Sequence, residues 1–348
     1  VTVPFARRQA VGRFGVEWVQ VTHSAPQTTA LAISSGAGTI VLASDFKLDS
    51  NPMLGSSTNT RRLEQIGRAG VLALLADSTN AHRSGRSTSE HDVHRSLEVI
   101  MRSFPGRVFV STFASNLARL QGMRLASKHT GRHLSLAGGS LRRNTAVAEK
   151  VGILRPGGRV LSSRAVSAMP RDRVAYLCTG SQAEPNSALA RMATNLEIGI
   201  HRKNDHTISR GDLIVHSARV IPGNNKAVDD LFGTFEKNGV YVMRADRPVH
   251  DLCVHASGHG HADELRDLYR MLQPKFAVPI HGDRELISAH IDLARSVTSV
   301  ADVLSPQEGQ ILRISESGIS IIGAIRTHAL ASIRIGGSDD NVKLARWK

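Results

Sequence analysis

The chain repeats one local pattern along most of its length: a short, continuously apolar run that stops abruptly in small and polar residues. Gly38–Ser44 runs into Asp45, and Gly70–Ala76 runs into Asp77-Ser78-Thr79-Asn80. Arg107–Thr112 leads to Phe113-Ala114-Ser115-Asn116, and Val174–Cys178 leads to Thr179-Gly180-Ser181-Gln182. Asp212–His216 precedes Ile221-Pro222-Gly223-Asn224, Leu252–Val254 precedes His255–His259, and Phe276–Ile280 precedes His281-Gly282-Asp283. Runs so short and so uniformly apolar read as strands buried on both faces. Helical patterns lie between them. Ser87 with Glu90 forms a capping box ahead of a helix over Val93–Phe104, a second helix follows Asn116 through Leu117, Leu120 and Leu125, and a third covers Glu264–Leu272 up to Pro274. Strands alternating with helices imply an α/β layered fold, in which ligands gather beyond the carboxyl ends of the strands. The polar clusters therefore converge on one composite site.

With 348 residues the chain can bury a sizeable core in two domains. No apolar run approaches the roughly 18 residues of a membrane span, and Val1–Arg13 has no apolar segment of the kind a secretory signal needs. The first residue is Val, which reads as a chain lacking an N-terminal portion. The two cysteines, Cys178 and Cys253, exclude a disulfide framework and a Cys-rich zinc module, and read as buried thiols in a reducing cytoplasm. A net charge of +14 favours a polyanionic partner. Aromatic residues are only 4%, which argues against a surface built on base stacking and for contact through a phosphate backbone.

Of 16 histidines, those at 82, 91, 94, 129, 133, 201, 206, 261 and 328 have no strand-end context and read as structural or solvent-facing. His23 ends the run Val16–Val21, Asp45 the next strand, and His281 the strand Phe276–Ile280. Imidazole and carboxylate at strand tips suit zinc or manganese. Spacing alone leaves another reading open, in which Asp45 caps a turn and the two histidines satisfy local hydrogen bonds. His255 and His259 flank Ser257-Gly258, a segment that offers backbone N–H groups, a hydroxyl and two imidazoles to an anion, or is simply a tight turn.

The order of these elements is more specific than any one of them. T-H-S-x-P (from Thr22), S-D-F-K-L-D (Ser44), L-x-D-S-T-N-A (Leu75), T-F-A-S-N (Thr112), T-G-S-Q-x-E-P (Thr179), I-P-G-N-N-K (Ile221), H-x-S-G-H (His255) and P-I-H-G-D (Pro279) follow one another down the chain. That series resembles the ribonuclease J family of β-CASP nucleases from about Val16 to Ile322. The resemblance implies an incomplete metallo-β-lactamase αββα sandwich with an inserted β-CASP α/β domain. It divides the chain into 1–88, 89–246 (the insertion), 247–325 (the resumed lactamase part) and a strand-poor tail or linker, 326–348. It implies His23, Asp45 and His281 as ligands of two zinc ions, with Asp45 between them and Mn2+ or Mg2+ as alternatives. It implies Asp77 and His259 as catalytic groups, and Ser115, Ser181, Gln182, His255 and Ser257 as contacts to RNA or its phosphates. The implied substrate is single-stranded RNA in the cytoplasm, cut internally and from its 5′ end. A homodimer or other RNA-decay proteins are the implied partners.

The sequence departs from that family in places. H-x-H-x-D-H, which supplies most of the metal ligands, does not occur, and would lie upstream of the segment holding His23. Each ion is then left with two protein ligands, and a catalytic zinc normally has three. The expectation is an inactive or impaired nuclease. Ser44, Gln27 and Ala183 replace a glycine, an acidic residue and a glycine of the family pattern. A non-catalytic RNA-binding or assembly subunit, or a DNA-directed β-CASP nuclease, would share many of these features.

Overall fold

The computed structural model describes residues 5–198, 207–247 and 251–327, and the backbone of 330–334 and 342–346. The chain opens with β1 (Arg8–Val11), β2 (Phe14–Gln20), β3 (Thr29–Ser35), β4 (Gly38–Ala43), α1 (Thr60–Ala69) and β5 (Ala73–Asp77). It then builds α2 (Glu90–Ser103), β6 (Val108–Ser111), α3 (Leu117–Thr130), β7 (His133–Ala137), α4 (Gly139–Lys150), β8 (Val160–Leu161) and α5 (Ser163–Val166). After these come β9 (Val174–Cys178), α6 (Ala188–Glu197), β10 (Leu213–His216), α7 (Asn225–Lys237) and β11 (Tyr241–Arg244). It returns through α8 (Ala262–Leu272), β12 (Phe276–Ile280), α9 (Arg284–Arg295) and β13 (Asp302–Val303), followed by β14 (Gln310–Ser315), β15 (Gly318–Ala324), β16 (Leu330–Arg334) and β17 (Val342–Arg346). No described helix is long and apolar enough to cross a membrane.

Two large sheets result. The first has the order β1-β2-β3-β4-β5-β12-β13; it is antiparallel from β1 to β4 and parallel from β4 onward. Its inner strand β5 is buried almost throughout, whereas β3 alternates. Its core joins strand residues such as Val19, Val41 and Leu74 to Leu63 of α1, Leu268 and Tyr269 of α8 and Leu293 of α9. The second sheet, order β11-β10-β6-β9-β7-β8, is parallel throughout. Its strands bury alternate residues into two separate cores. Val108, Val110, Leu177 and Val215 pack with α2 and α3, while Phe109, Tyr176 and Ile214 pack with α6 and α7. Helices on both faces are what a parallel sheet requires. This is the layered α/β architecture that the resemblance implies.

The apolar runs marked the strands well, with informative exceptions. Leu252–Val254 is not a strand. Its backbone groups are taken by side chains instead: Ser96 Oγ accepts from the Cys253 amide at 3.0 Å, and the Val254 carbonyl accepts from Ser217 Oγ and Arg119. Helix α2 begins earlier than its apolar pattern and is capped by Ser89, whose Oγ accepts from the His91 amide. Ser87 donates instead to Glu264. In the supposed tail, the backbones of β16 and β17 pair antiparallel; the alternation Val342-Lys343-Leu344 was too short to register as a strand. Both cysteines are free, Cys178 buried and Cys253 only half-buried.

Buried polar links fasten the second sheet's unit to the first. Where the chain leaves, the buried pair Lys47–Asp49 (3.2 Å) reaches both the Thr88 carbonyl and Ser89 Oγ. Glu264 accepts from the amides of Leu48, Ser87 and His261. Where the chain returns, Arg119 forms a two-toothed pair with Glu90 (2.9 and 3.0 Å) and donates to the carbonyls of Ser217 and Val254. Removing one member of a buried pair strands the other charge. Glu90→Ala should therefore lower unfolding stability by about 3–5 kcal/mol, with Glu90→Ala/Arg119→Met costing less than the two single changes added. Urea denaturation of all three variants checks this.

Candidate active site

The site forms at one edge of the first sheet, because its strands end together there. In parallel register Ala43 faces Ala76 and Ile280 faces Asp77, so Asp45, Asp77 and His281 emerge side by side beyond β4, β5 and β12. The Thr22–Lys47 bridge brings the end of β2, and with it His23, to the same edge. His259 arrives from the segment ahead of α8.

These five side chains meet. His259 Nδ1 lies 2.7 Å from Asp77 Oδ2, and His281 Nδ1 lies 3.2 Å from Asp77 Oδ1 and 3.4 Å from Asp45 Oδ1. Asp45 Oδ2 faces His23 Nε2 at 3.9 Å, so the two oxygens of Asp45 look toward different histidines. The His23 and His259 rings meet edge to face at 5.0 Å. Within 4.8 Å the donor atoms form two groups, His23–Asp45–His259 and Asp77–His259–His281. His23 and His281 thus sit on either side of Asp45 rather than in one donor group.

Burial alone would raise Asp77, but hydrogen bonds from His259 and His281 outweigh it and hold the carboxyl well below the usual carboxylate range. Thr79 adds its amide (2.9 Å) and hydroxyl (2.6 Å). An ionised carboxylate only accepts hydrogen bonds, so His259 must carry its proton on Nδ1, which leaves Nε2 free. The hydrogen bond to Asp77 raises His281. Burial, reinforced by His259, pushes His23 down to about 4. His281 adopts a positive φ of 58°, the left-handed region that non-glycine residues avoid, at the point where the chain turns off β12 into the site.

Gly258 explains the small residue between Ser257 and His259. A Cβ there would sit 2.7 Å from His23 Nε2 and 2.8 Å from Ser24 Oγ, so the segment must lie flat on His23. The need is for close approach rather than for a turn.

A cleft of about 440 Å³ adjoins this cluster, lined by Arg83, Arg219, His255, Ser257 and His261 among others. Asn80 ties it to the cluster: its amide donates to Ser257 Oγ (2.9 Å) and the His259 carbonyl (3.0 Å) and accepts from Arg219 (3.1 Å). His255 Nδ1 is buried without a hydrogen-bond partner among the described residues, and burial pushes that imidazole down to about 3. Gln182 does not face the cleft directly. It braces the loop that does, donating to the Arg219 carbonyl and accepting from the Ile221 amide, both at 2.8 Å. Ser181 is fully buried, with its carbonyl accepting from His216. Ser115 is exposed on the turn before α3, and no hydrogen bond among the described residues links it to the cluster. Asn80, Thr79, Arg83 and Arg219 were missed from sequence. The D-S-T-N string was the available signal for the first two, and nothing local marks the arginines.

Residues 105–234 match the family described as "Ribonuclease J, beta-CASP domain", and residues 252–305 match the "Zn-dependent metallo-hydrolase RNA specificity domain". The chain is 37% identical over 312 residues to the Ribonuclease J of Sinorhizobium meliloti, covering 90% of this chain and 53% of that protein. Against the Ribonuclease J of Mycolicibacterium smegmatis the figures are 38% over 322 residues, 92% and 54%, and against that of Helicobacter pylori 32% over 321 residues, 91% and 45%.

The chain belongs to the ribonuclease J family.

It spans about half the length of the curated relatives it matches. A crystal structure of a protein of unknown function from Enterococcus faecalis shares the fold, with a TM-score of 0.59 at 16% identity over 92% of this chain and 67% of that one. Within the family pattern, Ala183 stands where glycine is usual, and it has a φ of 56°. The left-handed conformation is thus kept despite the Cβ, at a cost of about 1–2 kcal/mol. Residues 259–264 read H-G-H-A-D-E, one residue from H-x-H-x-D-H. The geometry disperses them: Asp263 pairs with Arg266, and Glu264 turns to Leu48 and Ser87.

Two outcomes follow from the site's packing. Gly258→Ala should displace His23 and weaken metal uptake by at least about 10-fold while leaving the helical circular dichroism unchanged; isothermal titration with zinc measures it. Neutral His290 uses both ring nitrogens, one with Ser78 Oγ (2.8 Å) and one with the Tyr269 hydroxyl (2.9 Å), and burial pushes it down to about 4. Its folded value lies below the ordinary 6.5, so its contribution is complete above pH 6.5 and drains away as pH falls toward 4. Urea unfolding should show a loss on the order of 1–3 kcal/mol between those limits, shallower in His290→Gln.

Proposed function

We propose that this chain carries part of the hydrolytic core of a metal-dependent ribonuclease, of the kind that cuts single-stranded RNA in the cytoplasm internally and from its 5′ end, with turnover impaired because each of two ions would keep only two protein ligands. The observation that supports this most is the meeting of His23, Asp45, Asp77, His259 and His281, from five separate segments, beside a cleft lined by arginines. In this reading residues 1–88 and 247–325 are the catalytic unit, 89–246 is the lid over the RNA path, and 326–348 is a linker.

The donor set fits a divalent cation of the zinc or manganese type: imidazole nitrogens and carboxylate oxygens converge, and Asp45 presents one oxygen to each side. His23 on one side of Asp45 and His281 on the other would share with it the holding of two such ions. Such ions would lower the pKa of a water molecule and offset charge on the phosphate oxygens. The protein's own groups do the rest. Asp77 is a positioning residue: its ionised carboxylate fixes His259 as the Nδ1–H tautomer and steadies His281. The free Nε2 of His259 can then hold a proton for the departing RNA oxygen. Ser257, His255 and Arg219 line the side where the phosphate backbone would lie, and Arg83 extends that charge. Ser181 and Gln182 support the loop above it, and Ser115 contributes at the outer rim.

Cleavage of 5′-labelled single-stranded RNA with added zinc, manganese or magnesium tests this. Asp45→Ala should abolish turnover while RNA affinity stays within a few-fold, and His259→Gln should lower kcat by about 10²–10⁴. Undiminished cleavage by Asp45→Ala would overturn the assignment. Salt-sensitive RNA binding without cleavage under any of the three metals would instead mark a non-catalytic RNA-binding subunit, and preferential cutting of single-stranded DNA a different nuclease.

A further inference from the structure

Away from the cleft, helices α2 and α3 bring a second group of metal-type donors together. His94 and Glu98 are one turn apart on α2, and His129 lies in the last turn of α3. Glu98 Oε2 is 3.6 Å from His94 Nε2 and 3.0 Å from His129 Nδ1, and the three donor atoms all lie within 4.8 Å of one another. Donors on a four-coordinate zinc, at bonds of about 2.0–2.1 Å, stand about 3.3 Å apart. Two of the three separations already bracket that value, and rotation of the exposed His129 side chain closes the third.

The surroundings suit the same purpose. His94 is buried, and its Nδ1 lies 3.0 Å from the Gly122 carbonyl. A carbonyl can only accept, so the proton is on Nδ1 and Nε2, 3.6 Å from Glu98 Oε2, carries the lone pair. This is how metal-binding histidines are commonly oriented. Arg102 holds the other Glu98 oxygen at 2.8 Å and so sets the carboxylate's rotamer while leaving Oε2 turned inward. The His91 ring packs edge-on against His94 at 5.9 Å, on the adjacent turn. His129 is 48% exposed, so an ion can enter from solvent.

We propose that His94, Glu98 and His129 form a second site for a zinc-type divalent transition ion, separate from the candidate active centre, that clamps α2 to α3 in the inserted domain. Solvent fills the fourth position. Binding at His129 Nδ1 moves the proton of the neutral ring to Nε2, and protons compete with the ion for these ligands, so uptake weakens at low pH. The clamp stabilises the folded state in proportion to how far free metal exceeds its dissociation constant.

The test uses the whole chain carrying Asp45→Ala and His281→Ala, which removes ligands of the other site. Titrated with cobalt(II), that protein should still take up one strongly held ion with the visible absorption of a four-coordinate centre, displaced by zinc. Adding His129→Ala, or independently Glu98→Gln, should weaken this uptake by at least 10-fold and remove the zinc-dependent rise in Tm. Both changes are at solvent-accessible side chains, and circular dichroism verifies that each variant is folded. Uptake and Tm shift unchanged by both substitutions would overturn the proposal, as would absence of any cobalt binding in the Asp45→Ala/His281→Ala chain.

Discussion

Parallel alignment of β4, β5 and β12 is the constraint from which the rest of the molecule follows. Neighbouring parallel strands finish at the same edge, so Asp45, Asp77 and His281 are set beside one another by backbone register before any side-chain interaction is considered. A parallel pair also cannot be joined by a tight turn. The connection from β5 to β12 contains an entire second sheet, which places that sheet's unit next to the edge where the side chains converge.

So long a crossover must be held in register at both ends, and here buried ion pairs and hydrogen bonds add to the apolar packing of Leu54, Val254 and Ala256. Lys47–Asp49 and Glu264 grip the outgoing segment; Glu90–Arg119 grips the return. Buried pairs of this kind add little net stability, because desolvation offsets most of the Coulomb gain. They do exclude alternatives, since any other seating of the inserted unit would leave a charge buried and unpaired. Asn80 carries the same connection into the site, with one amide touching Ser257, His259 and Arg219.

Electrostatics then divides the work between the carboxylates. Asp77 is enclosed and fully engaged by hydrogen bonds, and its charge sets the tautomer of His259. Asp45 is more open and has one oxygen toward each of two histidines. Around them the net charge of +14 becomes local at Arg83 and Arg219, where the cleft meets the cluster. The basic surplus pointed to a polyanion; only its location gives that surplus a surface to act from.

Much of this was legible in the chain itself. Apolar runs that end in polar clusters located β4, β5, β6, β9, β10 and β12; in all but the partly exposed β4, burial on both faces leaves a strand little freedom to alternate. The strand-tip positions of His23, Asp45, Asp77 and His281 followed from the same runs. Leu252–Val254 was misread, since apolar composition cannot reveal that Ser96, Ser217 and Arg119 compete for its backbone. Tertiary structure alone decided which partner each group meets. It laid Gly258 against His23, turned Ser115 to solvent, made Gln182 a brace, and brought His94, Glu98 and His129 from two helices into one cluster. Local sequence encodes periodicity and chain reversal over a few residues. Contacts between residues 77 and 259, or 98 and 129, depend on how whole elements dock.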